Sequence, residues 1–379
     1  MATIPTTDSD AEVVAVRVNG RIYEHWDSVS ITRSMTAAAA AFSFVAPWWL
    51  PKPGEALLAR PGDAVTIEIG GVPVIVGYID EIGPGSDADK VAVQIAGRSK
   101  AGDIVDCDAI VKGMQLKGLD LLGVAKTLCK PFGVGVAVDS GVKIGAKFPL
   151  VEIEQGETVH QVLVRLARER GLLLWSTSDG GVIFGRGARG RAQTALIHRV
   201  GSNGEPVDGN TVLSISGKFS VANRFSELVV KGQSKWDLDA PAITSAQPRG
   251  RALDAGVLRY RPKVLNAENA ATSASMAARA QWDVARRIAA GTQISASLAG
   301  WRQTPDGDLW DVGLLTRVVD DVLNLDGDYL VSAVGFRAES AGLRADLTLE
   351  PPEAHAPEPV QPKGAGGGQW ASIHKQTHE

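Results

Sequence analysis

Short apolar runs that alternate with polar residues and stop at glycine turns restrict the fold of this chain more than any other feature. In ARPGDAVTIEIGGVPVIVGYIDEI, Val65, Ile67 and Ile69 fall on one face of a period-two strand. A Pro61-Gly62-Asp63 turn precedes that strand, and Gly70-Gly71 leads into the next, through Tyr78. AEVVAVRVNGRIYEHW carries an Asn19-Gly20 hairpin turn between two β-prone arms. KVAVQIAGRS alternates again at Val91, Val93 and Ile95. Strands this short bury only one face each, so they must pair antiparallel and close over a core as a small barrel or sandwich. The 42 glycines of the chain fit an architecture with many tight turns.

Helical spacing takes over after Ser99. GLDLLGVAKTLCKPFG places Leu122, Ala125 and Leu128 at helical intervals and stops at Pro131 and Gly133. Extended chain then leads into VEIEQGETVHQVLVRLARERGLLLWSTSDGGVIFG, Val151 to Gly185. Thr158 is a helix N-cap there, and Gln161 completes a capping box. Val159, Val162, Leu163 and Leu166 line one face; Arg165, Arg168 and Glu169 lie opposite, and Gly171 ends the helix. LLLWSTSDGGVIFG reads as a hairpin turning at Asp179-Gly180-Gly181. Strand character returns from about 210, in TVLSISGKFSVANRFSELVVKGQS. NAENAATSASMAARAQWDVARRIAAG predicts a long helix over 266–290, capped near Asn266, with Ala277, Ala280, Val284 and Ile288 on one face. TQISASLAGWRQ, DLWDVGLLTRVVDD, GDYLVSAVGFRAE and LRADLTLEP follow as strands. The fold class is thus α+β and β-rich. It divides into a first β domain (1–100), an inserted α+β module (101–190), a second β domain that includes the long helix (191–350), and a Pro/Gly-rich mobile arm (351–379).

Composition and motifs exclude more than they assign. A formal net charge of -4 gives no ground for nucleic-acid binding, which clustered Lys and Arg would drive. The start, MATIPTTDSD, reads as no secretory signal, and VPVIVGYI is too short to span a bilayer, so a soluble protein is expected. Cys107 and Cys129 form no CxxC pair and read as two free thiols suited to a reducing cytoplasm, with a disulfide between them as the alternative. GRGARG, Gly185 to Gly190, matches GxGxxG but follows a hairpin arm rather than opening a helix, so it reads as a mobile loop. NLDGDYL offers Asn324 and Asp326 as calcium ligands but fails at Val322 and Ala333, and both it and TPDGDLW read as Asp-Gly hairpin turns. His25, His160, His198, His355, His374 and His378 are scattered, three of them in the C-terminal arm. Asp320-Asp321 reads as solvated charge, and no GxSxG occurs. Trp175, Trp301 and Trp310 sit in apolar strands and read as core or interface. Trp48-Trp49, flanked by prolines, cannot both face inward, so at least one of them points to a subunit or partner contact. No catalytic, cofactor-binding or metal residue is assigned.

Taken in order, ARPGDAVTIEIGGVPVIVGYIDEI, the Val151–Gly185 stretch, NRFSELVVKGQS, GWRQTPDGDLWDVG and LDGDYLVSAVGFRAE resemble the central baseplate hub proteins of contractile-tailed phages, the Mu-like hubs above all. These segments cover most of residues 10–350. The same family is related to the N-terminal hub part of type VI secretion spike proteins. The resemblance implies two similar small antiparallel β-barrel domains per subunit and a homotrimer with near six-fold symmetry. Such a ring would join a hexameric tail tube to a trimeric membrane-piercing spike, among other baseplate proteins, and leave a channel for DNA ejection. It further implies a virion component assembled in the bacterial host cytoplasm, with no cofactor, no membrane insertion, no specific nucleic-acid binding and no reaction catalysed. The Val151–Gly185 stretch also resembles a LysM-type module, which makes a cell-wall carbohydrate binder the alternative. An enzyme using GRGARG or a carboxylate pair is a third reading.

Overall fold

The computed structural model describes residues 13–23, 26–47, 59–86, 91–233, 249–270, 273–339 and 342–356. Trp48-Trp49, His25, His374, His378 and the arm beyond residue 356 lie outside these residues.

The first β region comprises β1 (Val14–Val18), β2 (Arg21–Tyr23), β3 (Ser28–Ser34), β4 (Ala41–Pro47), β5 (Ala64–Ile69), β6 (Val72–Ser86) and β7 (Val91–Ser99). Its turns are set by local chemistry. Asn19 and Gly20 both take positive φ, 50° and 80°, as a two-residue turn matched to strand twist requires. Val65, Ile67 and Ile69 are buried, so the alternation read from sequence is the inward face of β5.

The module comprises α1 (Ala101–Asp106), β8 (Gln115–Leu119), α2 (Leu121–Cys129), β9 (Val136–Val138), β10 (Phe148–Glu152), α3 (Val159–Glu169), β11 (Leu173–Ser176) and β12 (Val182–Gly185). Asp120 caps α2 by accepting from the Gly123 N–H at 2.7 Å. On α3 the capping box is complete: Thr158 Oγ1 accepts from Gln161 N–H, and the Gln161 side chain accepts from Thr158 N–H. The stripe Val159, Val162, Leu163 and Leu166 is buried with Leu121, Val124 and Leu128 of α2 in the module's own core.

Beyond the module run β13 (Gly190–Arg191), β14 (Leu196–His198), β15 (Ser214–Phe219), β16 (Glu227–Gln233), β17 (Arg249–Leu253), β18 (Pro262–Ala270), α4 (Ser273–Ala290), β19 (Thr292–Ala299), β20 (Leu314–Asp320), β21 (Leu325–Glu339) and β22 (Gly342–Glu350). Two compact units result: Met1–Asn223 with Ala285–Pro357, and a second built on Arg224–Val284. The first holds a 14-stranded sheet whose main path is β15-β19-β22-β21-β3-β4-β7-β6-β5-β1-β2, with β13 and β14 pairing β20 beside β21. The two β regions read separately from sequence are therefore hydrogen-bonded to one another. Their seam is the antiparallel pair β3·β21, from Ser34 opposite Ala333 to Val29 opposite Ala338. One apolar cluster runs through both, from Val14 to Leu349. Among the described residues the strand path is open, ending at β2 and β15.

The second unit is a three-stranded sheet, β17-β16-β18, with β18 parallel to β16. Leu228 and Val230 of β16 pack on Met276, Ala280 and Val284 of α4. Here the helix expected over 266–290 is corrected. Asn266 is a strand residue opposite Lys231, and α4 begins at Ser273. Parallel pairing with β16 overrides the helix propensity of the Ala- and Glu-containing stretch, a routine tertiary effect. The buried stripe is Met276, Ala280 and Val284, whereas Ala277 is half-buried and Ile288 is exposed.

Candidate functional site

The residues singled out by motif do not converge. At GRGARG, Gly185 ends β12 against the Trp175 ring, Gly190 opens β13 parallel to β20, and no helix starts between them. The stretch is pinned rather than mobile, because Arg189 N–H donates to the Gly313 carbonyl at 2.7 Å. That geometry offers no helix N-terminus for a pyrophosphate. In TPDGDLW the turn forms as expected, Gly307 N–H donating to Thr304 O at 2.9 Å. NLDGDYL differs: Asp326 and Gly327 lie inside β21, and the turn is at residues 321–324, with Asn324 at φ 52°. The acids there meet arginines, Asp326 with Arg317 at 2.8 Å and Asp328 with Arg191. Among the described residues no group of three or more His, Cys, Asp or Glu could hold a metal ion.

Asp320 is not solvated charge. It is buried, accepts from the Leu323 N–H, and lies 2.8 Å from His198 Nδ1, while Asp321 accepts from Val200 N–H. These contacts tie the β20–β21 turn to β14 and use the carboxylates structurally. His355, expected in a mobile arm, sits in a 3₁₀ turn at Pro352–His355 and pairs with Glu350. Burial alone would raise the Glu350 pKa, yet the His355, Ser332 and Gln293 contacts hold it below the usual carboxylate range. His160 on α3 is pushed down by burial. Cys107 is an exposed free thiol, and burial pushes the free thiol of Cys129 up to about 12. Trp175, Trp301 and Trp310 are fully buried, and Trp301 Nε1 donates to the carbonyls of Arg337 and Arg344.

The arrangement that does draw distant segments together is a junction within the larger unit. The module's hairpin turns at Asp179-Gly180-Gly181, as the sequence indicates. Asp179 accepts from the Thr177 hydroxyl and the Gly181 N–H, which hold its carboxyl below the usual range against the opposing effect of burial. Gly180, at φ +82°, lies so close to β6 that a Cβ there would overlap the Val76 carbonyl oxygen. Beside it a cleft is lined by Arg33, Val74, Ser178, Arg302, Asp308 and Asp311. Arg33 of β3, 5% exposed, reaches Asp311 at 2.8 Å. Arg189 stands between Asp311 at 3.9 Å and the module's Asp139 at 4.0 Å. Alternating guanidinium and carboxylate groups thus link β3, the segment before β20, the chain leaving the module and the module itself. No nucleophile–base pair faces the cleft; its chemistry is that of a brace. The sequence held no sign of it, since its members lie far apart along the chain and belong to no motif.

Three family models match the chain. Residues 13–99 match the N-terminal domain of Mu phage baseplate assembly protein GpP-like chains, and residues 101–186 the second domain of the gp44-like baseplate hub protein. Residues 272–358 match the fourth domain of Mu phage baseplate assembly protein GpP. The baseplate hub protein gp44 of Escherichia phage Mu is 33% identical over 315 residues, 81% of this chain and 79% of that protein. A 43 kDa tail protein of prophage MuSo2 from Shewanella oneidensis superposes with a TM-score of 0.77 at 31% identity, over 92% of this chain and all of that one. A tail protein of Neisseria meningitidis MC58 gives 0.74 at 24% identity, over 91% and 99% of the two chains. A component of the type VI secretion system of E. coli shares the fold at 11% identity, with a TM-score of 0.52 over 93% and 81%.

Proposed function

Since this chain belongs to the family of Mu-like phage baseplate hub proteins, we propose that it acts as a trimeric ring joining tail tube to spike around a DNA channel. As a baseplate hub it is a component of the phage virion. On this reading residues 1–100 and 191–350 supply two barrel-like β domains per subunit, so three subunits present six such elements to a hexameric tube. Residues 101–190 are the connector and 351–379 an arm. The partners are two further copies, the tube protein, the trimeric spike and other baseplate proteins, and assembly takes place in the host cytoplasm. The role is structural: matched surfaces and channel width, with no reaction.

The observation that carries this reading is the strand path. The β3·β21 seam sets both β regions side by side in one sheet, and the path leaves β2 and β15 with an outer edge that pairs with no described strand. Open edges invite pairing with another chain, and a closed ring is one way to cover them. Within each subunit the brace at Arg33, Asp311 and Arg189 keeps the module fixed to the sheet, which a load-transmitting connector requires. The LysM-like reading of Val151–Gly185 has no such support, since its apolar stripe is used up in the module core.

Light scattering on the purified chain tests the ring. The expected mass is three times 39.8 kDa, and top views by electron microscopy should show an open centre. A monomer that persists at every concentration would sink it.

A further inference from the structure

The unit built on Arg224–Val284 lies largely between the matched family domains, which end at residue 186 and resume at 272. Within it the loop from Asp254 to Arg261 joins β17 to β18. The base of that loop is stitched down. Asp254 N–H donates to the Ser226 carbonyl at 3.2 Å, and Arg261 N–H to Ser226 Oγ at 2.9 Å. The Asp254 carboxylate accepts from Arg224 Nε and Nη2, each at 2.7 Å, and from the Gly256 N–H at 3.0 Å. Val257 N–H closes a turn onto the Asp254 carbonyl, and its side chain is buried. The tip is the reverse. Leu258 is 97% exposed and Tyr260 84%, so each stands clear of its own protein on an anchored base. Charge is arranged around them. Arg259, Arg261 and Lys263 bring three cations within five residues, and Arg261 and Lys263 both lie 5.5 Å from the Phe225 ring. The single acid of the stretch Asp254–Lys263 is Asp254, which Arg224 neutralises.

We propose that this tip, Leu258, Arg259 and Tyr260, is a membrane-contact loop that enters the headgroup layer of an anionic lipid surface. Each residue type has a place there. A leucine at the tip reaches the boundary of the acyl chains, and a tyrosine settles at the interface with its ring in the apolar layer and its hydroxyl wet. Arginine and lysine lay their stems along that layer and hold their charges among the phosphates. Three cations favour an anionic surface over a neutral one. Two other classes of partner fit less well. Two large side chains bury at most about 500 Å² between them, short of the ~800 Å² that each side of a standard protein interface contributes. Nucleic acid would engage the arginines and stack on Tyr260, yet it offers Leu258 nothing to enter. So short a loop lies on a bilayer and spans nothing. The inference is independent of the ring reading, because a single chain carries the whole loop.

The test is sedimentation of the full chain with vesicles of phosphatidylcholine, alone or mixed with an equal part of phosphatidylglycerol. The parent should go down with the anionic vesicles, stay in solution with the neutral ones, and be released as salt is added. The Leu258→Ser/Tyr260→Ser double variant keeps every cation and should bind the anionic vesicles about tenfold more weakly. Arg259→Glu keeps both apolar side chains and should also weaken binding, by a factor that shrinks with salt. All three side chains are exposed, so the variants should match the parent in far-UV dichroism. A parent that binds neither vesicle would overturn the proposal. Equal binding by the parent and both variants would overturn it as well, by placing the contact elsewhere on the chain. Binding lost with Arg259→Glu but kept by the double variant would reduce it to charge adsorption with no entry of the tip, which also counts against it. Duplex DNA in place of vesicles gives the last arm: retardation that both variants lose, without vesicle binding, would assign the loop to nucleic acid. A chain that is monomeric by light scattering and still binds anionic vesicles through the tip would sink the ring and leave this inference standing.

Discussion

A glycine can be required for two reasons, and this chain separates them. Gly180 and Gly156 share a left-handed backbone, φ +82° and +78°. At Gly156 a Cβ would meet nothing within 4 Å, whereas at Gly180 it would overlap the Val76 carbonyl. Gly156→Ala should therefore cost about 1 kcal/mol, the conformational penalty alone. Gly180→Ala should cost about 2–3 kcal/mol, because hairpin and β6 must move apart as well. Urea midpoints compare the two directly, and equal losses would show that the hairpin tip does not bear on the sheet. Charge at a single residue has a different reach. The Arg224 guanidinium holds the Asp254 carboxyl below its usual range, helped by the Gly256 N–H. A carboxyl whose folded pKa is lowered stabilises fully above its unfolded value, near 3.8, and loses that contribution as pH falls through the folded value. Stability of the smaller unit should thus drop steeply below about pH 4. Arg224→Leu should lower stability at neutral pH and flatten that slope; a slope unchanged by the substitution would locate the acid sensitivity elsewhere.

Elements fixed by their own residues were legible, and those fixed by distant partners were not. The capping box of α3, the Asn19-Gly20 turn and the module hairpin all depend on residues within a few positions of one another. Thr158→Ala removes one member of the box and should cost about 1 kcal/mol, read as a lower melting temperature with far-UV dichroism unchanged at 20 °C. No change would mean that tertiary packing alone holds the first turn of α3. By contrast, the start of α4 was misplaced because β18 exists only through its pairing with β16 some thirty residues earlier. Asp320 read as solvated for the same reason: its partner His198 lies 122 positions away. The brace at Arg33 and Asp311 joins β3 to a segment near the other end of the chain, and neither residue type announces a partner at such a distance. Identity was legible earlier than geometry, since an ordered series of ordinary segments marks a family without locating a contact.

At the scale of the molecule, one seam governs how the larger unit should unfold. β3 and β21 bring residues about 300 positions apart into register, and the cluster behind them draws side chains from both β regions. Val334 sits mid-seam, fully buried, opposite Arg33 on one side and Leu347 on the other. An ammonium there would be desolvated beside the Arg33 guanidinium, like charge against like, which costs several kcal/mol. Because the cluster is shared, Val334→Lys should not loosen one β region alone. Amide exchange should speed up together in β4 on one flank and β19 on the other, while Leu228 and Val230, packed in the separate cluster beneath α4, keep their protection. Loss confined to β19 and β22, with β4 through β7 still protected, would mean that the two β regions fold independently and merely touch. The ring proposed above needs the first behaviour, because regions that slipped past each other could not keep the two β elements of a subunit at a fixed spacing.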